Sequence, residues 1–185
     1  MKHIHNSKHL VAFFFCYNII VIPCLLLILS GSVTLWINGF AVDRAGCLYI
    51  GNAKDICVFE DGTLIRKLSP CTSRSYVFTI TEDNNILLST SSKVYTMDIE
   101  GNLLHTEDDP GADVYNQLSY SKRRFVTSTG DEFKLRNILG WWIIVKNDAQ
   151  IVWNMGLLSY IVFAAISCCT TGLIIFILRY IGKRI

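Results

Sequence analysis

A chain of 185 residues with 51% hydrophobic residues and a mean hydropathy of +0.38 is too apolar for an ordinary soluble domain and predicts membrane segments. Net charge is only +2, and all 15 acidic residues fall between Asp43 and Asp148, whereas the tails carry Lys2, Lys8, Arg179, Lys183 and Arg184 and no acid. A mildly acidic middle lacks the basic footprint of a nucleic-acid binder, so no nucleic-acid partner is expected.

Residues 1–9 are polar and cationic and read as a cytoplasmic tail. Residues 10–37 contain no charged side chain, and 11–29 are almost wholly apolar, enough to cross a bilayer. They predict a transmembrane helix acting as an uncleaved signal anchor. A cleaved signal peptide is the alternative, because Ser30-Gly31-Ser32 offers small residues at cleavage-like spacing, but its apolar core would run only about 7–15 residues. Pro23 is a candidate kink, and Trp36 suits the interfacial belt.

Residues 38–153 predict an extracytoplasmic domain built from repeats. Starting at Phe40, FAVDRAGCLYIGNAKDICVFEDGTL alternates apolar and polar positions between Gly, Asn and Asp turns, the pattern of short antiparallel strands. A second unit follows 38 to 39 residues later, aligning Phe40 with Phe78, Gly46 with Asn84, Ile50 with Leu88, Gly62 with Gly101 and Leu64 with Leu103. Gly46, Gly62 and Gly101 are therefore the expected turn glycines. A weaker third unit aligns Leu48 with Phe125, Ile50 with Thr127, Ile56 with Phe133 and Val58 with Leu135. After it, WWIIV, Lys146-Asn147-Asp148 and AQIVW read as one more hairpin. Periods of about 40 residues with several strands each mark propeller blades and related arrays.

Residues 156–178 form a second uncharged apolar segment, followed at once by Arg179, Lys183 and Arg184, and predict a second transmembrane helix with a cytoplasmic basic tail at 179–185. Basic residues at both ends place both termini in the cytoplasm and the domain on the other side. Within this helix Ala164, Cys168 and Gly172 recur every four residues, a spacing that lets two membrane helices approach closely, either the first helix or another copy.

FAVDRAGCLYIGNAKDICVFEDGTLIRKL resembles a repeat of the NHL and quinoprotein-like β-propeller families, carrying strand, Asp, a Gly turn, LYIG, ICVF and DGTLI in order. The resemblance covers residues 40–104 well and 116–153 poorly. It implies a propeller-like platform for other molecules. Closed propellers have 4–8 blades, and about three fit here. A homo-oligomer or a protein partner is therefore expected to complete the array, unless the strands close as a curled antiparallel sheet or sandwich.

Residues able to do chemistry do not assemble into a motif. His3, His5 and His9 lie in the tail without a Cys or acid to complete a metal site, and His105 has no nucleophile motif beside it. Glu107-Asp108-Asp109 with Asp113 lacks the alternation of a Ca²⁺ loop and reads as a solvated connector, and Lys122-Arg123-Arg124 as a solvated turn. No N-x-S/T sequon occurs. Of the seven cysteines, Cys16, Cys24, Cys168 and Cys169 lie in apolar segments. With Gly51 placed opposite Asp55, Cys57 faces Tyr49 and is only diagonal to Cys47; a bridge from Cys71 to either stays open.

The expectation is a membrane protein in which two transmembrane helices flank an all-β, repeat-built extracytoplasmic domain, with no catalytic, cofactor or metal residues. Its expected work is recognition or assembly at the membrane; a structural subunit of an envelope, secretion or transport complex is the first alternative, and a quinoprotein-type enzyme the second.

Overall fold

The computed structural model describes residues 15, 17–28, 33 and 36–181. They divide into two compact units, one spanning Trp36–Asn154 and the other made of the flanking segments.

The flanking unit holds α1 (Tyr17–Ile28) and a long C-terminal helix, and the central unit holds a short helix, α2 (Asp113–Ser121), so the long one is α3 (Leu157–Ile181). Among the described residues, only α3, over Leu157–Arg179, is long and apolar enough to cross a membrane. Residues 10–14, 16, 29–32, 34 and 35 of the predicted first span, with the histidine tail, lie outside the described residues. Its far end is corrected. Trp36 and Ile37 are not helical, because the Asn38 N–H donates to the Gly51 carbonyl (2.9 Å), extending the first sheet, and Ile37 packs against that sheet's core.

The central unit contains three separate four-stranded antiparallel sheets rather than one curled sheet. The first is β1 (Gly39–Val42), β2 (Leu48–Gly51), β3 (Ile56–Glu60) and β4 (Thr63–Leu68); the second is β5 (Val77–Ile80), β6 (Ile86–Ser89), β7 (Lys93–Met97) and β8 (Leu103–Asp108). The third is β9 (Arg124–Val126), β10 (Glu132–Ile138), β11 (Trp141–Lys146) and β12 (Gln150–Asn154). In each, consecutive strands pair in sequence order, the connectivity of a propeller blade. In each, the pairing of the third and fourth strands shifts by one residue, with Ile65, Leu104 and Val152 the extra residue on the fourth strand. Ladders do not continue from β4 to β5 or from β8 to β9, because a non-strand connector and α2 intervene.

Period-two alternation decides how the sheets stack. Phe40, Val42, Leu48 and Ile50 point from the first sheet onto Phe133, Leu135 and Ile144 of the third. The alternate set Ala41, Tyr49, Ile56 and Val58 points onto Phe78, Ile80, Ile86, Leu88 and Met97 of the second. The first sheet is thus the middle layer, buried on both faces, and each of these large apolar side chains contributes about 1.5–3 kcal/mol by leaving water. Gly51 permits the close approach: a Cβ there would lie 2.7 Å from the Phe78 ring.

The outer faces of the two flanking sheets end differently. Helix α2 packs on β5 and β6 of the second sheet. The third sheet presents a ladder of ion pairs instead: Glu132 with Arg124 (2.5 Å) and Lys134 (2.9 Å), and Asp148 with Lys134 (2.7 Å) and Arg136 (2.5 Å).

Two sequence-based registers are corrected. β9, containing Phe125, is the first strand of its sheet and not the equivalent of β2, so Thr127 and Gly130 stand where Asp43 and Gly46 stand in the first unit. In the β2–β3 hairpin Gly51 pairs with Ile56 rather than Asp55, because the Asn52 carboxamide accepts from Lys54 N–H (2.8 Å) and Asp55 N–H (2.9 Å) and closes a longer turn. That single slip pairs Cys57 with Ile50 and turns it to the other face from Cys47, which packs against the core of the first and second sheets. Cys47, Cys57 and Cys71 are free thiols.

Candidate binding mouth

The innermost strands β1, β5 and β9 pack together, β1 touching both others. Their C-terminal ends open on a cavity of about 420 Å³ lined by residues 42–44, 80–82, Asn84 and 125–128. A second cavity of about 650 Å³ lies between the first and third sheets, where residues 43–46, Asp61, Thr127–Thr129, Asp131, Lys146 and 150–152 meet. Both belong to one end of the domain.

One turn device builds all three loops of the mouth. Asp43, Thr81 and Thr127 each end an inner strand, and each backbone N–H donates to the carbonyl four residues on, at 3.1, 2.8 and 3.0 Å. Their side-chain oxygens accept the N–H of Cys47 (2.8 Å), Asn85 (3.2 Å) and Asp131 (3.0 Å). The residue three positions on adopts a left-handed conformation, with φ of 92° at Gly46, 63° at Asn84 and 89° at Gly130. Only Gly and, at small cost, Asn accept such angles routinely. Asp98 repeats the device at the β7–β8 turn, accepting the Asn102 N–H at 2.7 Å beside Gly101 (φ 94°). Of the turn glycines expected from sequence, Gly46 and Gly62 (φ 78°) line the second cavity of the mouth, while Gly101 sits in an outer turn at the same end.

Arg44 straps two loops together: its backbone N–H donates to Asn84 Oδ1 (3.2 Å) and its guanidinium to the Glu82 carbonyl. Asp43 is 7% exposed, and its second carboxylate oxygen accepts the Tyr49 hydroxyl at 3.2 Å. Burial, and after it the Asp43 charge, push the Tyr49 hydroxyl and the Cys47 thiol upward, so both stay protonated at neutral pH. On the far side Lys146 Nζ pairs with Asp131 (2.7 Å) and lies 5.6 Å from the centre of the Phe133 ring. This hydrogen bond, and a second from Asn147 Nδ2 (2.8 Å), hold the Asp131 carboxyl below its usual range. The mouth therefore offers hydrogen-bonding groups of both signs and no activated nucleophile at Cys47.

Sequence reasoning found the turn glycines and missed the rest. The signal was present: Asp or Thr, two residues, then Gly or Asn, repeated at Asp43, Thr81, Asp98 and Thr127. Among the described residues no group of three or more His, Cys, Asp and Glu is placed to hold a metal. His105 lies exposed on β8. The acidic connector is put to structural use, since the Asp109 carboxylate accepts the Asp113 and Val114 N–H groups (both 3.1 Å) that open α2. In the helical unit Cys24 and Val162 are buried together with Leu27, Ile28, Ala165 and Ile166 around them, so α3 meets α1 through that face. The predicted stripe lies elsewhere: Cys168 is exposed and a Cβ on Gly172 would meet nothing.

The fold and mouth define a three-blade, propeller-like β domain. No protein-family model and no curated protein matches the chain. Among solved structures it is similar to a streptogramin B lyase (14% identity, TM-score 0.37, 64% of this chain and 40% of that one). A protein of unknown function from Bacteroides caccae is similar at 14% identity and a TM-score of 0.34, over 65% of this chain and 46% of that one. A catalytically inactive virginiamycin B lyase from Staphylococcus aureus with quinupristin is similar at 12% identity and a TM-score of 0.36, over 62% and 39%. The chain spans less than half the length of each.

Proposed function

We propose that this chain is a membrane-anchored recognition or assembly module that works without catalysis, holding a protein partner at the mouth on the extracytoplasmic face. α3 is the anchor in this reading, the N-terminal apolar segment is a second span, and both termini are cytoplasmic. The observation that carries it is the mouth itself, three loops of one design converging on an open cavity, with Arg44 already tying two of them together. Binding is favoured over chemistry because the buried Asp43 and Tyr49 are bonded to each other and the half-buried Cys47 thiol is held protonated.

Two measurements on the full-length protein in intact cells test this. Cys71 is exposed on the domain, so a membrane-impermeant maleimide should label it from outside; labelling only after lysis refutes the exported placement. A photo-crosslinking residue at Ser128 should capture a discrete partner that Arg44→Glu abolishes, while one at Leu104, on the outer strand β8, should not. Equal capture from both positions refutes the mouth as the docking site.

A further inference from the structure

We infer that the β10–β11 turn, Ile138-Leu139-Gly140, is a foot that seats its apolar side chains in the headgroup region of the bilayer. The inference depends on the reading of α3 as a membrane span. Leu139 is 87% exposed and Ile138 57% exposed. Leu139 also has φ 51° and is followed by Gly140 at φ 88°, the two-residue hairpin turn in which Asn or Asp normally takes the first place. The comparable turns at the other end obey that chemistry, with Asp61-Gly62 and Asn147-Asp148. Leu139 therefore violates both turn preference and solvation, and local rules are broken in this way at sites that serve something other than the fold.

Strand direction says what it serves. Strands alternate in direction, so the mouth lies at one end of each sheet, and the start of β1, the β10–β11 turn and the end of β12 lie at the other. Asn154 is opposite Ile143, so the turn reaches three residues beyond it, about 10 Å at strand rise. Only Met155 and Gly156 separate Asn154 from α3, a chain length of about the same reach. The exposed turn is thus on the end of the domain from which the chain passes into α3. Trp36, exposed before β1, and Trp141, opening β11, lie toward that end, while Trp142 and Trp153 pack in the core between the first and third sheets. Trp is the residue that membrane interfaces enrich.

The test uses full-length protein in phosphatidylcholine vesicles that contain a lipid with a nitroxide on its headgroup. A small fluorescent amino acid is placed at position 139 in one variant and at position 61, a mouth-end turn, in another. The expected result is that the lipid nitroxide quenches the reporter at 139 by more than half and aqueous iodide barely affects it, with the reverse at 61. Adding Ile138→Asp should cut the lipid quenching at 139. If the protein resists alkaline carbonate yet iodide quenches 139 as strongly as 61, the foot is refuted while the spanning reading stands. Protection of 139 from both quenchers would mean that protein, a second copy or a partner, covers the turn, which also overturns the proposal. Release of the protein by carbonate would sink the spanning reading and the foot with it.

Discussion

Asp43 carries the sharpest energetic consequence of the mouth. Its carboxylate is nearly buried and accepts two donors, the Cys47 N–H and the Tyr49 hydroxyl. Asp43→Ala removes both acceptors and leaves the buried Tyr49 hydroxyl and the partly buried Cys47 N–H without their partner; a buried unsatisfied donor costs about 1–3 kcal/mol. The expected loss is therefore about 3 kcal/mol, which at roughly 4 °C per kcal/mol for a domain of this size lowers the Tm by about 12 °C. Asp43→Asn keeps an acceptor for the Cys47 N–H and lets the Tyr49 hydroxyl turn to accept, so it loses only the charge assistance, about 1 kcal/mol. Thr127→Val removes the equivalent acceptor of the Asp131 N–H, together with the hydroxyl's exposed contact to Thr129 Oγ1, at a partly exposed site and should also cost about 1 kcal/mol. The assay is thermal unfolding of the full-length protein in detergent, followed by near-ultraviolet circular dichroism to report the β domain. Tyr49→Phe added to Asp43→Ala should recover about 1 kcal/mol, because one orphaned donor is gone. An Asp43→Ala protein that melts with Asp43→Asn, or a double mutant whose losses simply add, would refute the hydrogen-bond accounting.

Two further perturbations probe the turns and the outer face. Gly101→Ala combines a left-handed φ with a Cβ 3.2 Å from Leu68 and should destabilise by about 1–3 kcal/mol in the same melting assay; Gly46→Asn should be near neutral, because the second unit already has Asn84 there. The ion-pair ladder predicts a pH dependence. Hydrogen bonds from Lys134 hold Glu132 and Asp148 below the usual carboxylate range, and those same carboxylates, Asp148 first, push Lys134 up. The carboxylates' contribution is full above their unfolded value of about 4 and is lost as pH falls through their lowered folded values. That of Lys134 is full below about 10.4 and is lost as pH rises through its raised folded value. Melting temperature at low salt should be level between these limits and fall outside them. Lys134→Met should flatten the acid side, and an unchanged acid slope in that variant would contradict the pairing.

What could be read from the sequence follows from where its information is local. The first two units are legible because alternation and turn chemistry agree in both, and the pairing of Phe59 with Leu64 and Met97 with Leu103 places the aligned leucines in equivalent positions. The third failed because β9 has only three residues and α2 interrupts the spacing just before it, leaving too short an apolar run to set the phase. The turn at Thr127-Gly130 held the correct phase, since a side-chain acceptor and a left-handed residue three positions apart are a stricter requirement than an apolar strand residue. The same reasoning explains the β2–β3 slip: Asn52 reads as an ordinary polar turn residue until its carboxamide is seen to cap two N–H groups, which lengthens the turn and moves Cys57 to the other face. The mouth was illegible for a different reason. Its members are distant in sequence and meet only because Ala41 is small enough to let β1 lie between two sheets while Phe40 and Val42 face one and Tyr49 the other. Convergence of this kind is a property of stacking, and no single turn encodes it. Leu139 shows the complementary case, a residue whose local misfit was visible in the pattern of turns but acquired meaning only once strand direction put it at the end of the domain that leads into α3.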